Sequence, residues 1–186
     1  MILTDREIKM AIERRSIIID PSPDESAFAS TSVDLTLDPA LSEFKSSAIE
    51  RVVDPSLDTF DHEAALGELT ERFSINPKDG YPLQPKRLVL AWTAEYIDLR
   101  NDVWLAARVE GKSSLARLGL GIHITAPTIH AGFDGRIRLE VINHRAVPIR
   151  LRAGMRICRL VFEQTLGTPD KGYRGRFSGQ AVSRTG

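Results

Sequence analysis

A chain of 186 residues, 42% of them hydrophobic, is long enough for one domain with its own core and too apolar for general disorder. Its 25 basic and 25 acidic side chains cancel, which argues against a protein whose main work is non-specific binding to nucleic acid. With no charged-then-apolar leader, and no apolar run near the ~18 residues of a membrane span, a soluble cytoplasmic protein without a membrane partner is the expectation.

Thr4-Asp5-Arg6-Glu7 has the spacing of a capping box, in which two side chains satisfy the first free N–H groups of a helix. Ile8, Ala11 and Ile12 follow at helical spacing as an apolar stripe, so a short N-terminal helix is predicted. The β-branched run Ile17 to Ile19 ends at Asp20-Pro21, a turn. Ser32 to Leu37 alternates polar and apolar residues, as a half-buried strand does.

Residues 42–78 are rich in charge and weak in period, and read as an irregular excursion with a helical turn near Glu63 to Arg72. Strands return at Arg87 to Thr93, Val103 to Val109, Arg136 to Ile142, Val147 to Leu151 and Ile157 to Phe162. Pro, Gly and Asn punctuate the connections, and no fixed-period repeat is visible. Many short strands with little helix point to a mainly β barrel or jelly roll spanning residues 1–166. Residues 167–186, with repeated glycines and the basic Lys171, Arg174, Arg176 and Arg184, read either as a frayed terminus or as an arm ordering over an anionic ligand.

The densest chemistry lies in Val109 to Gly119. A strand ends at Gly111, Ser113 stands where a helix cap belongs, and Gly119 stands where a C-terminal cap belongs. A short helix there would aim free N–H groups at an anion such as phosphate. Ser113 and Arg117, four apart, share a face; Lys112 adds a point charge and Arg117 a planar fork. A solvated cap with surface charges satisfies the same spacing.

In Arg136 to Ile142, alternation puts Ile137, Leu139 and Val141 on one face and Arg136, Arg138 and Glu140 on the other. That charged face would ordinarily be a solvated surface, and the alternative is the wall of a pocket. Between the two segments, Pro127, Gly132 and Gly135 shape a loop that contains Ala126 and His130.

Taken together, these motifs carry a family resemblance. Lys112 to Gly119 resembles the Arg-Ser-Ser-Leu-Ala-Arg-Leu-Gly signature of dCTP deaminases. Thr125-Ala126 and Ile129 to Gly135 resemble their Thr-Ala…Ile-Asp-x-Gly-(Phe/Trp)-x-Gly segment, and Arg138-Leu139-Glu140 their catalytic strand. Thr4 to Ile8, Ser32 to Leu35 and Tyr173…Arg176-Phe177…Gln180 also fit, so the match spans nearly the whole chain.

The resemblance implies the distorted β-barrel of the dUTPase-like type, with a short N-terminal helix and a few helical turns. It also implies a homotrimer with active sites between subunits, acting on the nucleotides dCTP and dUTP. Glu140, Ser113 and Arg117 would be catalytic. Nucleotide contacts would come from Lys112, Ser113, Ser114, Leu115, Ala116 and Arg117, from Ala126, His130, Arg138, Leu139 and Glu140, and from an arm bearing Tyr173, Arg176 and Gln180 that closes over the ligand. Magnesium would arrive on the triphosphate, with no protein metal site.

A zinc route of the usual base-deaminase kind needs a His/Cys-x-x-Cys set. This chain has one cysteine, Cys158, which also excludes an internal disulfide and reads as a small buried hydrophobe. Its four histidines, His62, His123, His130 and His144, show no ligand spacing, so a zinc-independent reaction is expected. Three positions depart from the family pattern. Lys112 stands for an arginine, Arg176-Phe177 for a lysine and a tyrosine, and His130 for an aspartate that in dUTPases orients water and touches the sugar 3′-hydroxyl. Loss of that carboxylate implies deamination of dCTP to dUTP without pyrophosphate release. A diphosphatase, a bifunctional enzyme and a non-catalytic nucleotide binder are the alternatives.

Overall fold

The computed structural model describes residues 1–48, 52–100 and 104–167. Tyr173, Arg176 and Gln180, on which the expected arm rests, lie outside the described residues, as does Val103 at the head of one expected strand. Helix α1 (Asp5–Glu13) forms as its stripe predicts, with Ile8 fully buried and Ala11 and Ile12 packed on the core. The capping box is corrected in detail. The Thr4 hydroxyl donates to the Glu7 carboxylate and makes no cap to the helix backbone, while the Glu7 carboxylate still accepts from the Thr4 N–H.

Strands β1 (Ile17–Asp20), β2 (Phe28–Ala29), β3 (Ser32–Thr36) and β4 (Ala40–Phe44) follow. Beyond them come α2 (His62–Leu69), β5 (Thr70–Ser74), β6 (Tyr81–Leu83), β7 (Leu88–Leu99) and β8 (Leu105–Gly111). The chain continues through α3 (Ser113–Arg117), β9 (Leu120–Gly121), β10 (Asp134–Asn143), β11 (Ile149–Leu151) and β12 (Arg156–Gln164). The fold is mainly β, as expected. No helix among the described residues is long and apolar enough to cross a membrane.

The segment 42–78 is not irregular throughout, which corrects the sequence reading. It holds the last residues of β4, then α2 and β5, and β4 pairs antiparallel with both β5 and β7. Neither strand alternates: β4 buries the adjacent Leu41 and Ser42, and β5 buries almost nothing. In β5 only Thr70 is buried, while Glu71, Arg72 and Ser74 are exposed. The helical turn near Glu63 is real and starts at Asp61, whose carboxylate accepts from the Glu63 and Ala64 N–H groups.

A six-stranded sheet runs β5-β4-β7-β10-β9, with β1 also on β7; a four-stranded sheet runs β2-β3-β12-β8; β6 and β11 form a small ribbon. Strand β7 is the spine, because its 12 residues carry β4 and β1 along one edge and β10 along the other. Leu37, just past β3, bridges to Thr93 in β7 and stitches the two larger sheets together. Their inner faces share one core in which Ile17, Leu35, Leu37, Ile97, Leu139 and Phe162 are all essentially inaccessible. Burying a large aliphatic side chain contributes roughly 1.5–3 kcal/mol.

Two buried polar groups fix how β10 is presented. Its register against β7 slips between Arg136 and Arg138, and the buried Thr93 hydroxyl accepts the Ile137 N–H at 3.0 Å while donating to the Glu95 carbonyl at 2.9 Å. A bulge of this kind re-aims side chains, here Arg138 and Glu140. At the far end, fully buried Asn143 donates to the Leu83 and Val147 carbonyls and accepts from the Arg145 N–H, each at 2.9 Å.

Candidate active site

Glu140 stands on the half-buried face of β10, between the core residues Leu139 and Val141, and its cross-strand partner on β7 is Leu90. The Ile124 N–H points at its carboxylate, at 3.4 Å. Arg138, on the same face, places its guanidinium 5.0 Å from the centre of the Trp92 ring, directly opposite on β7. Burial lowers the pKa of Arg138; Glu63 and Glu140 act against that, and Arg72 adds to it. Leu139 points the other way and is 1% exposed, so a contact of this residue with a nucleotide would come from its backbone.

Helix α3 is a single turn. Its N-cap is Lys112, not Ser113, and Ser113 is the first helical residue. The chain leaves through Gly119 at φ 83, where a Cβ would lie 2.3 Å from the Arg145 side chain, so glycine is needed both for the left-handed turn and for the close approach. Ser113, Ser114, Ala116 and Arg117 are exposed and Leu115 packs on the core. Lys112 is held within the fold, ion-paired with Asp34 of β3.

From α3 the chain enters β9, which pairs beside the end of β10 with Gly121 opposite Ile142 and Leu120 opposite Asn143. Past the end of β9 at Gly121, the chain brings the Ile124 N–H to the Glu140 carboxylate. Among the described residues no hydrogen bond or ion pair joins Ser113 or Arg117 to Glu140. Within one chain they stand on neighbouring segments. Ala126 packs partly on the core, and Ile129 bridges to Ala107 of β8. His130 is exposed at the following turn, closed by the Phe133 N–H donating to the His130 carbonyl at 3.1 Å.

Several residues near Glu140 escaped the sequence reading. His123 has a buried Nδ1 without a hydrogen-bond partner. Trp92 stacks on Arg138, and a cavity of about 160 Å³ lies beside it, lined by Glu63, Leu66, Gly67, Thr70, Arg72 and Arg138. No spacing could have revealed these neighbours, because they come from α2, β5, β7 and the stretch after β9. Farther along the same strands, Asp98 lies directly opposite Asp134; burial and then the Asp134 charge raise its pKa, and Arg100 opposes them. The Cys158 thiol is buried, and burial pushes its pKa well up, so it is an inert hydrophobe as expected. Among the described residues, no three His, Cys, Asp or Glu side chains are grouped to hold a metal ion.

Comparison with known proteins matches residues 2–165 to a family described as dCTP deaminase-like. The chain is 40% identical over 168 residues to a dUMP-forming dCTP deaminase of Methanobrevibacter smithii, covering 90% of this chain and 82% of that protein. It is 38% identical over 180 residues to a dUMP-forming dCTP deaminase of Persephonella marina, covering 97% and 93%. It is 37% identical over 176 residues to a dCTP deaminase of Rhodospirillum rubrum, covering 93% and 87%. Among solved structures, a 2′-deoxycytidine 5′-triphosphate deaminase from Agrobacterium tumefaciens superposes with a TM-score of 0.65 at 22% identity, over 87% of this chain and 47% of that one. This chain spans about half of that protein's length, and the likeness is one of fold.

Proposed function

Because this chain belongs to the dCTP deaminase-like family, we propose that it hydrolyses dCTP to dUTP and ammonia. The observation that carries this reading is the setting of Glu140, a carboxylate on a half-buried strand face with a backbone N–H and an arginine beside it. Water adds to C4 of the cytosine as Glu140 takes its proton and passes it to the ring nitrogen N3. The C4–N bond then breaks, Glu140 relays the remaining proton to the amine, and ammonia leaves C4 as a carbonyl. General acid–base work of this kind typically contributes ~10²–10⁴-fold in rate.

Ser113 and Arg117, exposed on α3, would hold the water and polarise the ring, with the Ala126 carbonyl as a further acceptor. They do not meet Glu140 within one chain, and the large exposed side chains Leu118 and Ile124 flank the segment that connects them. Both facts support a homotrimer in which a neighbouring subunit completes each site. Magnesium would be carried by the triphosphate oxygens. Asp34, beside the N-cap of α3, is already paired with Lys112 and is not offered as a metal ligand, which fits an ion arriving with the nucleotide.

Two of the relatives are dUMP-forming, which favours a second reading in which the product is carried on to dUMP with release of pyrophosphate. His130 stands against it, since an imidazole replaces the carboxylate that the family resemblance assigns to such hydrolysis. The test is one assay on purified protein with magnesium and dCTP, dUTP, CTP or dCMP, following ammonia, pyrophosphate and nucleotides together. Ammonia and dUTP from dCTP without pyrophosphate is the expected result. Ammonia with dUMP would establish the second reading, and nucleotide binding without turnover would overturn both.

A further inference from the structure

Two cations reach for Asp34. Its side chain is 10% exposed in the middle of β3, and one carboxylate oxygen, Oδ2, is ion-paired with Lys112 Nζ. The other oxygen, Oδ1, is buried and has no hydrogen-bond partner among the described residues. Facing it at 3.8 Å is Arg159 Nε, which is also buried and also without a hydrogen-bond partner. That gap is too long for a hydrogen bond, and a shift of about 1 Å would close it to hydrogen-bond length.

Sheet register holds Arg159 in this place. It lies directly opposite Asp34 across one edge of β12 and directly opposite Glu110 across the other. Glu110 is approached by Arg108 at 3.6 Å, and among the described residues the ion pair of Arg159 is with Asp34. Lys112 differs in kind. It is the N-cap of α3, one position before the exposed Ser113 and Ser114, and its ammonium is a point charge on a flexible stem. A triphosphate held along Ser113, Ser114 and Arg117 would lie next to Lys112 and compete with Asp34 for that charge. A buried carboxylate resists giving up its cation, because it is then left desolvated and unpaired. With Arg159 beside it, Asp34 keeps a counter-charge throughout.

We propose that Arg159 is a positioning residue for triphosphate recognition, taking over Asp34 when the nucleotide draws Lys112 away. One carboxylate then serves two cations in turn. The inference rests on the nucleotide reading above, and needs triphosphate binding but not deamination. It gives a use to two buried polar atoms that stand unsatisfied within reach of each other.

The first experiment is steady-state dCTP deamination with magnesium by the unmutated full chain and by Arg159→Met, Arg159→Lys, Lys112→Met and the Lys112→Met/Arg159→Met double variant. Arg159→Met should raise KM about tenfold with kcat within about twofold, the pattern of a lost binding contact. Lys112→Met should raise KM by a similar factor, and adding Arg159→Met should raise it no further, since both act through one contact. Arg159→Lys keeps the charge and should return KM toward its original value. An unchanged KM in Arg159→Met overturns the proposal, as do effects of the two single variants that simply multiply. A fall in kcat alongside the rise in KM overturns it as well, because α3 itself would then have been displaced.

The second experiment is a crystal structure of the unmutated chain with magnesium and the uncleavable α,β-imido analogue of dUTP. The expected result is Lys112 Nζ on a phosphate oxygen and Arg159 Nε within hydrogen-bond distance of Asp34. Lys112 still on Asp34 beside a bound triphosphate overturns the proposal, and this structure decides the matter should the variants fail to fold. Absence of ammonia from the unmutated chain removes the deaminase reading alone, since the bound analogue still shows which cation Asp34 holds. A chain that binds no triphosphate removes both.

Discussion

Lys112 Nζ is ion-paired with Asp34 Oδ2, joining the N-cap of α3 to the middle of β3. The two side chains are only 16% and 10% exposed, and Arg159 Nε lies 3.8 Å from the other Asp34 oxygen. The charge that by resemblance would reach a triphosphate therefore anchors the turn that presents Ser113 and Arg117. A lysine here trades a fork for a tether, and the tether sets where α3 sits relative to the four-stranded sheet.

Removing either partner leaves the other charge poorly solvated. Asp34→Asn and Lys112→Met should each destabilise the protein by about 2 kcal/mol, between the values for exposed and fully buried pairs. In the double variant the losses should fall short of their sum by about 1 kcal/mol, as for residues in direct contact. Urea unfolding of the four proteins measures this, and strict additivity would show that the pair is not coupled.

Glu140→Gln keeps the size of the side chain and removes its ability to accept a proton. We expect kcat to fall by about 10²–10⁴-fold while KM for dCTP stays within a few-fold. A variant that still releases ammonia at the original rate would remove Glu140 from the mechanism.

His130→Asp restores the carboxylate typical of the family at an exposed turn where the change is tolerable for folding. The variant should gain pyrophosphate release from dUTP, or a changed preference between deoxyribose and ribose, when the nucleotide products are followed by chromatography. If neither appears, His130 is a space-filling substitution without a role in product choice.

Asp98 and Asp134 are like charges directly opposite on antiparallel strands, an unfavourable cross-strand pairing. Burial and Asp134 hold the folded-state pKa of Asp98 above its ordinary value. The neutral acid is thus favoured by folding, and stability is present below the unfolded pKa and lost as pH rises through the folded one. Asp98→Asn should therefore stabilise the protein at pH 7 by a few tenths of a kcal/mol, discounted for partial exposure, and the gain should vanish near pH 3. Melting temperatures of both proteins across that range are the measurement. An equal gain at both ends would mean that charge is not the cause.

The sequence by itself determined the mainly β class and the longer strands, the N-terminal helix, the inert Cys158 and the short helix at Ser113 to Arg117. Each of these is local: alternation, helical spacing, glycine at a left-handed turn. It also placed Glu140 on the face opposite Leu139 and Val141, because a strand has period two whatever lies around it. It missed β5 because an edge strand with one buried residue shows no hydrophobic period, and β4 because its two buried residues, Leu41 and Ser42, are adjacent and not alternating. Only the tertiary structure could decide that Lys112 turns to Asp34, that the Ile124 N–H reaches Glu140, and that Arg138 stacks on Trp92 and lines the α2 cavity. Those are contacts across 16 to 78 positions of chain, set by sheet register and by the bulge at Ile137, and a one-residue change of register would turn each strand side chain to the other face.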